Sequence, residues 1–441
     1  MTLDLPTRPA GPGTAPAGLA ERAAADGVRF LLALFVDLVG KPCAKLVPVE
    51  AAAQLQEEGV GFAGYAVGAI GQQPSDPDLI AVPDLATYTP LPWVREDLAL
   101  VHCDPHVEGA PWPFAPRVIL RAALERARAA QLELQAGAEV EYFLVTRDAE
   151  GRLVPADGKD VAAQPCYDAR GLTRMYEHLT GVSTAMNALG WGNYANDHED
   201  ANGQFEQNFA HADALTTADR VITARYLISV LAEQRGMTAT FMPKPFADRT
   251  GSGMHLHLSL WRDGAALFPG AEGGLSGLAR SFMAGVLEHA AGLQAVLGPT
   301  VNSYKRTGAA SPRSGATWSP RRASYGGNDR THFVRVPDAH RIELRGADGA
   351  ANPYLALAAA LAAGLDGVDR GLDPDAVDGP DLPPTLLHAV DALVADPVVA
   401  GALDAAGAEV AAYVAGRGRA EFLEWHAAVG PWEHDRYLTA F

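Results

Sequence analysis

The segment Gly251–Leu260, GSGMHLHLSL, alternates leucine with histidine and serine. Successive side chains of a strand point to opposite faces. Leu256, Leu258 and Leu260 therefore share one face, and His255, His257 and Ser259 the other. Three more segments repeat this division. In GAEVEYFLV, Glu139 and Glu141 lie opposite Val140, Tyr142 and Leu144; in GQFEQNF, Gln204, Glu206 and Asn208 share a face; in HRIELRG, Glu343 and Arg345 do. The segment DHED adds Glu199. The chain must fold so that strands with one apolar and one charged face are all accommodated.

Any one of these strands alone reads as the wet side of an amphipathic strand. Solvent faces usually carry Lys, Thr and mixed charge, whereas here Glu and His recur with Arg beside them. Carboxylates gathered on one face repel unless a cation neutralises them. Oxygen-rich ligation with a single imidazole suits Mg²⁺ or Mn²⁺ better than zinc. A pair of such ions beside arginines equips a site for phosphoryl transfer.

The net charge is −18, from 53 acidic and 35 basic side chains, which argues against nucleic acid or an anionic membrane as a partner. Cys43, Cys103 and Cys166 form no CxxC pair, so neither a disulfide framework nor a structural zinc site is expected. No apolar run is long enough to span a bilayer, and the first residues lack a signal-peptide core. A cytoplasmic protein is the expectation.

A Pro-, Gly- and Ala-rich tail is expected over residues 1–20, a small domain over 21–110 and a large one over 111–441, with the linker near Val107–Phe114. FLLALFVDLVGKPCAKLVPVE reads as a hairpin turning at Gly40-Lys41-Pro42, and EAAAQLQEEG as a helix stopped at Gly59. A helix opens at Pro116, others cover LTRMYEHLTGVSTAMNALG and ADRVITARYLISVLAEQRG, and the chain beyond Pro353 is mostly helical. There is no GxxxxGK[ST] phosphate loop.

The segments GAEVEYFLV, HEDANGQFE, TATFMPKPF, GSGMHLHLSL, NSYKR, NDRTHFVRVP and RIELRGADGAANPYLA, in this order, resemble the glutamine synthetase family along nearly the whole chain. The resemblance implies an α+β fold: an N-terminal β-grasp-like domain and a larger catalytic domain with a curved antiparallel sheet. It implies ATP, two or more divalent ions, glutamate and a small amine. It also implies a dodecamer of two stacked hexameric rings with sites at subunit interfaces. Carried over by motif, Glu141, Glu199 and Glu206 resemble ligands of one metal, and Glu139, His255 and Glu343 ligands of the other. His257 and Ser259 resemble nucleotide contacts, Arg306 the holder of the glutamate α-carboxylate, and Gly251 a backbone contact to its amino group. Arg330, Arg335, Arg341 and Arg345 match arginines around the ATP phosphates and the transferred phosphoryl group.

Two departures bear on the acceptor. Family members that use ammonium cradle it with an Asp in an F-D-G-S-S motif and a flap Glu after N-S-Y-K-R. Here Ala63 stands at the Asp position, and the flap TGAASPRSGATWSPRRASYGG holds no Asp or Glu. Losing two such charge partners, each worth about 4 kcal/mol at an effective dielectric of 20, favours a larger, partly apolar amine. The segments NDHEDANGQFE and SGATWSP look like the type III subgroup that includes γ-glutamylmethylamide synthetases, so methylamine is the expected acceptor. The alternative is that Asp78, Tyr167 or Glu199 rebuilds an ammonium site. Glu199 is the candidate acceptor of the amine proton. Thr250 replaces the Asn that often precedes Gly251, and Pro380 replaces a Tyr that some relatives modify. An inactive relative would show eroded metal ligands; all six positions are intact.

Overall fold

The computed structural model describes residues 18–271, 273–307 and 318–441. The tail expected over residues 1–20 lies outside the described residues up to 17; its last residues open a helix, Leu19–Ala25, with Leu19 and Ala23 buried. Most of the flap's first half, residues 308–317, also lies outside the described residues.

The first sheet has the order Pro42–Pro48, Phe30–Val36, Leu98–Val107, Leu79–Pro83, Val60–Phe62. Phe30–Val36 turns back antiparallel onto Pro42–Pro48 through the expected hairpin, where Gly40 takes φ +84°, and runs parallel to Leu98–Val107. Parallel central strands must be covered on both faces, and the apolar run FLLALFV suits that. Leu31, Ala33, Phe35, Ala99 and Val101 pack under the helices Leu19–Ala25 and Ala52–Glu58, while Leu34, Val36 and Leu100 join the main core. The central strand of this sheet, Leu98–Val107, runs through VHCDPHV up to the first residue of the expected linker. Its polar residues disguised it: His102 is buried, with Nε2 2.9 Å from the Thr223 hydroxyl.

The second sheet has the order Asn193–His198, Gln204–Phe209, Glu133–Arg147, Met254–Arg262, Arg341–Leu344, Val334–Asp338, Tyr325–Gly326. It is curved and antiparallel except for the last pair. Its apolar face, including Leu134, Val140, Tyr142, Leu256 and Ile342, is buried in the main core. The helices Pro116–Ala129, Ala214–Glu233 and Pro353–Arg370 contribute to that core. The last of these begins where the Asn352 side chain accepts from the Tyr354 N–H at 3.1 Å. It approaches helix Gly277–Glu288 so closely that a Cβ on Gly285 would sit 2.1 Å from the Ala363 carbonyl.

The two sheets are tied by one buried arginine. Arg117 donates to Asp219 through Nε and Nη2, both at 2.9 Å, and at 2.8 Å to both Asp84 and Asp104 of the small-sheet region. Tyr354 adds its hydroxyl to Asp219 at 2.6 Å. Among the described residues no single helix is long and apolar enough to cross a membrane.

Candidate active site

Strand register carries the polar residues into adjacent rows. Asp197 pairs with Glu206, and Glu206 with Glu141; Asn208 pairs with Glu139, and Glu139 with His255; His257 pairs with Glu343, and Glu343 with Arg335. Directly opposed residues on one face stand about 5 Å apart. The alternation seen in sequence thus becomes one acidic floor.

His255 sits at its centre. Its Nδ1 is 2.8 Å from Glu139 Oε2 and 3.7 Å from Glu343 Oε1, and its Nε2 is 3.8 Å from Glu141 Oε1. Glu141 accepts from the Gly253 N–H at 2.7 Å and from Gln204 Nε2 at 3.0 Å. Glu343 is fully buried and flanked by the guanidinium groups of Arg335 and Arg345. Glu206 accepts from Asn208 Nδ2 at 2.7 Å.

Ligand atoms of Glu139, His255 and Glu343 gather within 4.8 Å of one another, as do those of Glu141, Glu206 and His255. The first group is the expected second-metal set. In the other, His255 rather than Glu199 completes the trio with Glu141 and Glu206. The electrostatics fit a cation. Burial, with the charges of Glu139, Glu199 and Glu141, pushes the Glu206 carboxyl well above its ordinary value. Burial and the charges of Glu141 and Asp197 push Glu199 up to about 8. Glu139 behaves oppositely: burial raises it, but hydrogen bonds and charge from His255 and His257 hold it well below the usual range.

These groups border a cavity of about 390 Å³ lined by Glu139, Glu141, Glu199, Glu206, Gly251, His255, Arg306, Arg330 and Arg345 among others. Glu343 lies beneath this lining. His257, Ser259, Arg335 and Arg341 do not border the cavity. His257 Nε2 holds Glu139 Oε1 at 2.9 Å, the Ser259 hydroxyl accepts from Trp261 at 3.0 Å, and Arg341 lies 2.9 Å from Asp338. Tyr167 borders the cavity; Asp78 and Ala63 do not. Gly251 admits no side chain, since a Cβ would stand 2.3 Å from the Pro243 carbonyl and 2.9 Å from Arg306 Cγ. Arg306 is buried, which lowers its basicity.

Sequence reading missed the groups that fix the Glu199 loop. Buried Asp160 accepts from the Gly203 N–H at 2.6 Å and from Asn202 Nδ2 at 3.0 Å, and its Oδ2 lies 2.8 Å from His198 Nε2. His198 Nδ1 lies 2.9 Å from the Glu199 carbonyl. Asp160 sits in an irregular loop with no periodic pattern to mark it.

An acidic floor that could hold cations, facing arginines across the cavity, fits a protein that handles phosphoryl groups. Residues 113–437 match the glutamine synthetase catalytic domain, and the chain belongs to the glutamine synthetase family. It is 41% identical to a glutamine synthetase of Rhizobium leguminosarum bv. phaseoli, over 95% of this chain and 99% of that one. It is 38% identical to a glutamate–methylamine ligase of Methyloversatilis universalis, over 94% and 97%. Among solved structures, a GmaS–ADP complex superposes with a TM-score of 0.89 at 46% identity, covering 95% of this chain and 99% of that one. Ligand-free GmaS gives 0.88 at 44%, covering 96% and 99%.

Proposed function

We propose that this chain is an ATP-dependent ligase joining the γ-carboxyl of L-glutamate to methylamine, a γ-glutamylmethylamide synthetase. The observation that carries the reading is the convergence of Glu139, Glu141, Glu206 and Glu343 on His255, opposite Arg306, Arg330 and Arg345. The GmaS structures and the glutamate–methylamine ligase support methylamine as acceptor. The 41%-identical Rhizobium glutamine synthetase supports the second reading, ammonium as acceptor.

A carboxylate is a poor electrophile because its leaving group would be oxide. In this reading a γ-carboxylate oxygen of glutamate attacks the γ-phosphorus of ATP, and ADP departs with the bonding pair. Glu139, His255 and Glu343, and Glu141, Glu206 and Glu199, would hold Mg²⁺ or Mn²⁺ ions, which when bound would supply Lewis acidity and offset charge between the two anions. Arg306 grips the α-carboxylate, a task suited to a guanidinium fork. Gly251 offers backbone to the amino group. Arg330 and Arg345 face the phosphoryl oxygens, while Arg335, Arg341, His257 and Ser259 serve ATP from beyond the cavity lining. Glu199, which borders the cavity, takes a proton from methylammonium. The amine nitrogen then attacks the acyl carbon, the bond from that carbon to the phosphate oxygen breaks, and the departing inorganic phosphate carries away the nitrogen's surplus proton.

Ala63 precedes the short helix Gly64–Val67 in the small-sheet region, away from this chain's cavity. In the proposed cytoplasmic dodecamer of stacked hexameric rings, a neighbouring copy's small domain closes the acceptor end. The test is phosphate release from ATP and glutamate with methylammonium or ammonium in parallel. The expected result is the higher kcat/KM with methylammonium; parity, or a preference for ammonium, overturns that acceptor.

A further inference from the structure

The methyl group of the acceptor needs a wall. We propose that the Trp318 indole is that wall, a specificity-determining residue held in place by Asp200 and Thr250; this rests on the methylamine reading. Trp318 Nε1 donates to Asp200 Oδ2 at 3.1 Å. The Thr250 hydroxyl donates to the same oxygen at 2.6 Å. The Asp200 backbone N–H donates to Glu199 Oε2 at 3.3 Å. These contacts form a short chain from the indole to the carboxyl that receives the amine proton. Arg345 Nη2 lies 3.5 Å from the Trp318 carbonyl, which ties the same residue to the phosphoryl side.

Trp318, Asp200, Thr250 and Glu199 all border the cavity, as does Tyr167. Tyr167 takes φ +62°, uncommon for an aromatic residue, and its N–H donates to the His198 carbonyl at 2.9 Å. With Oδ2 taken by two donors, Asp200 acts as a tether for the indole. From Trp318 to Gly327 the flap, WSPRRASYGG, contains no carboxylate.

This corner suits methylammonium and penalises ammonium. Ammonium presents an N–H in every direction and loses a hydrogen bond wherever it meets an apolar surface. Methylammonium turns its methyl to the indole, gains burial, and keeps its charge within reach of the ring face. The Thr250 hydroxyl also gives a role to the residue that stands in place of the more usual Asn.

The experiment measures kcat/KM for methylammonium, ammonium and ethylammonium in the wild-type protein and in Trp318→Ala, Trp318→Phe and Thr250→Val, with the KM for ATP as a control. In Trp318→Ala the methylammonium-to-ammonium ratio should fall about tenfold, with ethylammonium gaining relative to methylammonium. Trp318→Phe, which keeps a ring but no N–H, and Thr250→Val should fall between this and wild type, while the KM for ATP holds. An unchanged ratio in Trp318→Ala overturns the assignment, as does an equal loss with all amines that Phe does not restore. If the Ala variant does not fold, Trp318→Leu against Trp318→Phe decides in the same way. A wild-type preference for ammonium overturns the methylamine reading and this assignment with it. A wild-type preference for methylammonium whose size is unchanged in every variant overturns the wall alone.

Discussion

Glu206→Gln should stabilise the metal-free protein while destroying its response to metal. Glu206 is buried among Glu139, Glu141 and Glu199, and its carboxyl titrates well above the ordinary 4.5. A carboxyl with a raised value in the fold is at no disadvantage below 4.5 and becomes progressively costly as pH rises toward its folded value. Each pH unit between 4.5 and that folded value adds about 1.4 kcal/mol to the cost of the charged form. Glutamine keeps an oxygen for the Asn208 amide, which donates to Glu206 Oε1 at 2.7 Å, and removes the charge. Unfolding in urea with EDTA should therefore show the variant more stable at pH 7, by about 1.4 kcal/mol for each pH unit above 4.5 until the folded value is reached, with the difference vanishing toward pH 4.5. Saturating Mg²⁺ or Mn²⁺ should reverse the order, because wild type alone keeps its full ligand set; a ligand at a hundred times its Kd adds about 2.7 kcal/mol. A variant less stable than wild type in EDTA, or one gaining as much from metal as wild type does, would refute the reasoning.

Other outcomes follow from the same geometry. Arg306→Lys removes the planar fork and should raise the KM for glutamate about tenfold or more while leaving that for ATP nearly unchanged, as steady-state kinetics would show. Asp219→Asn strips Arg117 of its bidentate partner and should cost about 3–5 kcal/mol in chemical unfolding. His289 lies 2.8 Å from Asp396 and 3.0 Å from Asp366, and although burial opposes it, these partners raise its titration above 6.5. Its stabilisation is then complete below 6.5 and lost as pH climbs through the raised value. The stability gap between wild type and His289→Gln should accordingly be widest near pH 6 and narrow toward pH 9 in urea titrations.

The catalytic sheet was legible because its strands use a two-residue period with chemically distinct faces. Glu139, Glu141, Glu206, His255 and Glu343 could be grouped before any coordinates, since each lies opposite a Val, Tyr, Phe, Leu or Ile stripe. The depth of the floor was not legible, because His255 shared between two carboxylate groups depends on register across four strands. Charges that local pattern assigns to a surface were hidden as well. Arg117 stands in RVILRAALERARA like any helix-surface arginine, yet it is buried because partners from residues 84 to 219 converge on it. Asp160 and His198, 38 residues apart, meet only when the loop folds back. The run LTRMYEHLTGVSTAMNALG, read as one helix, is two, Ala169–Arg174 and Tyr176–Ala188, joined at Met175.

The Arg117 junction makes the larger unit dependent on the smaller. Severing the chain at Glu108–Gly109 and discarding what precedes it would remove Asp84 and Asp104 together, leaving a sequestered cation with Asp219 alone of its three carboxylate partners. Residues 113–437, which match the catalytic domain, are therefore expected to need the small sheet in order to fold. Heat should melt both sheets in a single calorimetric step, and attempts to express the large piece alone should yield insoluble material.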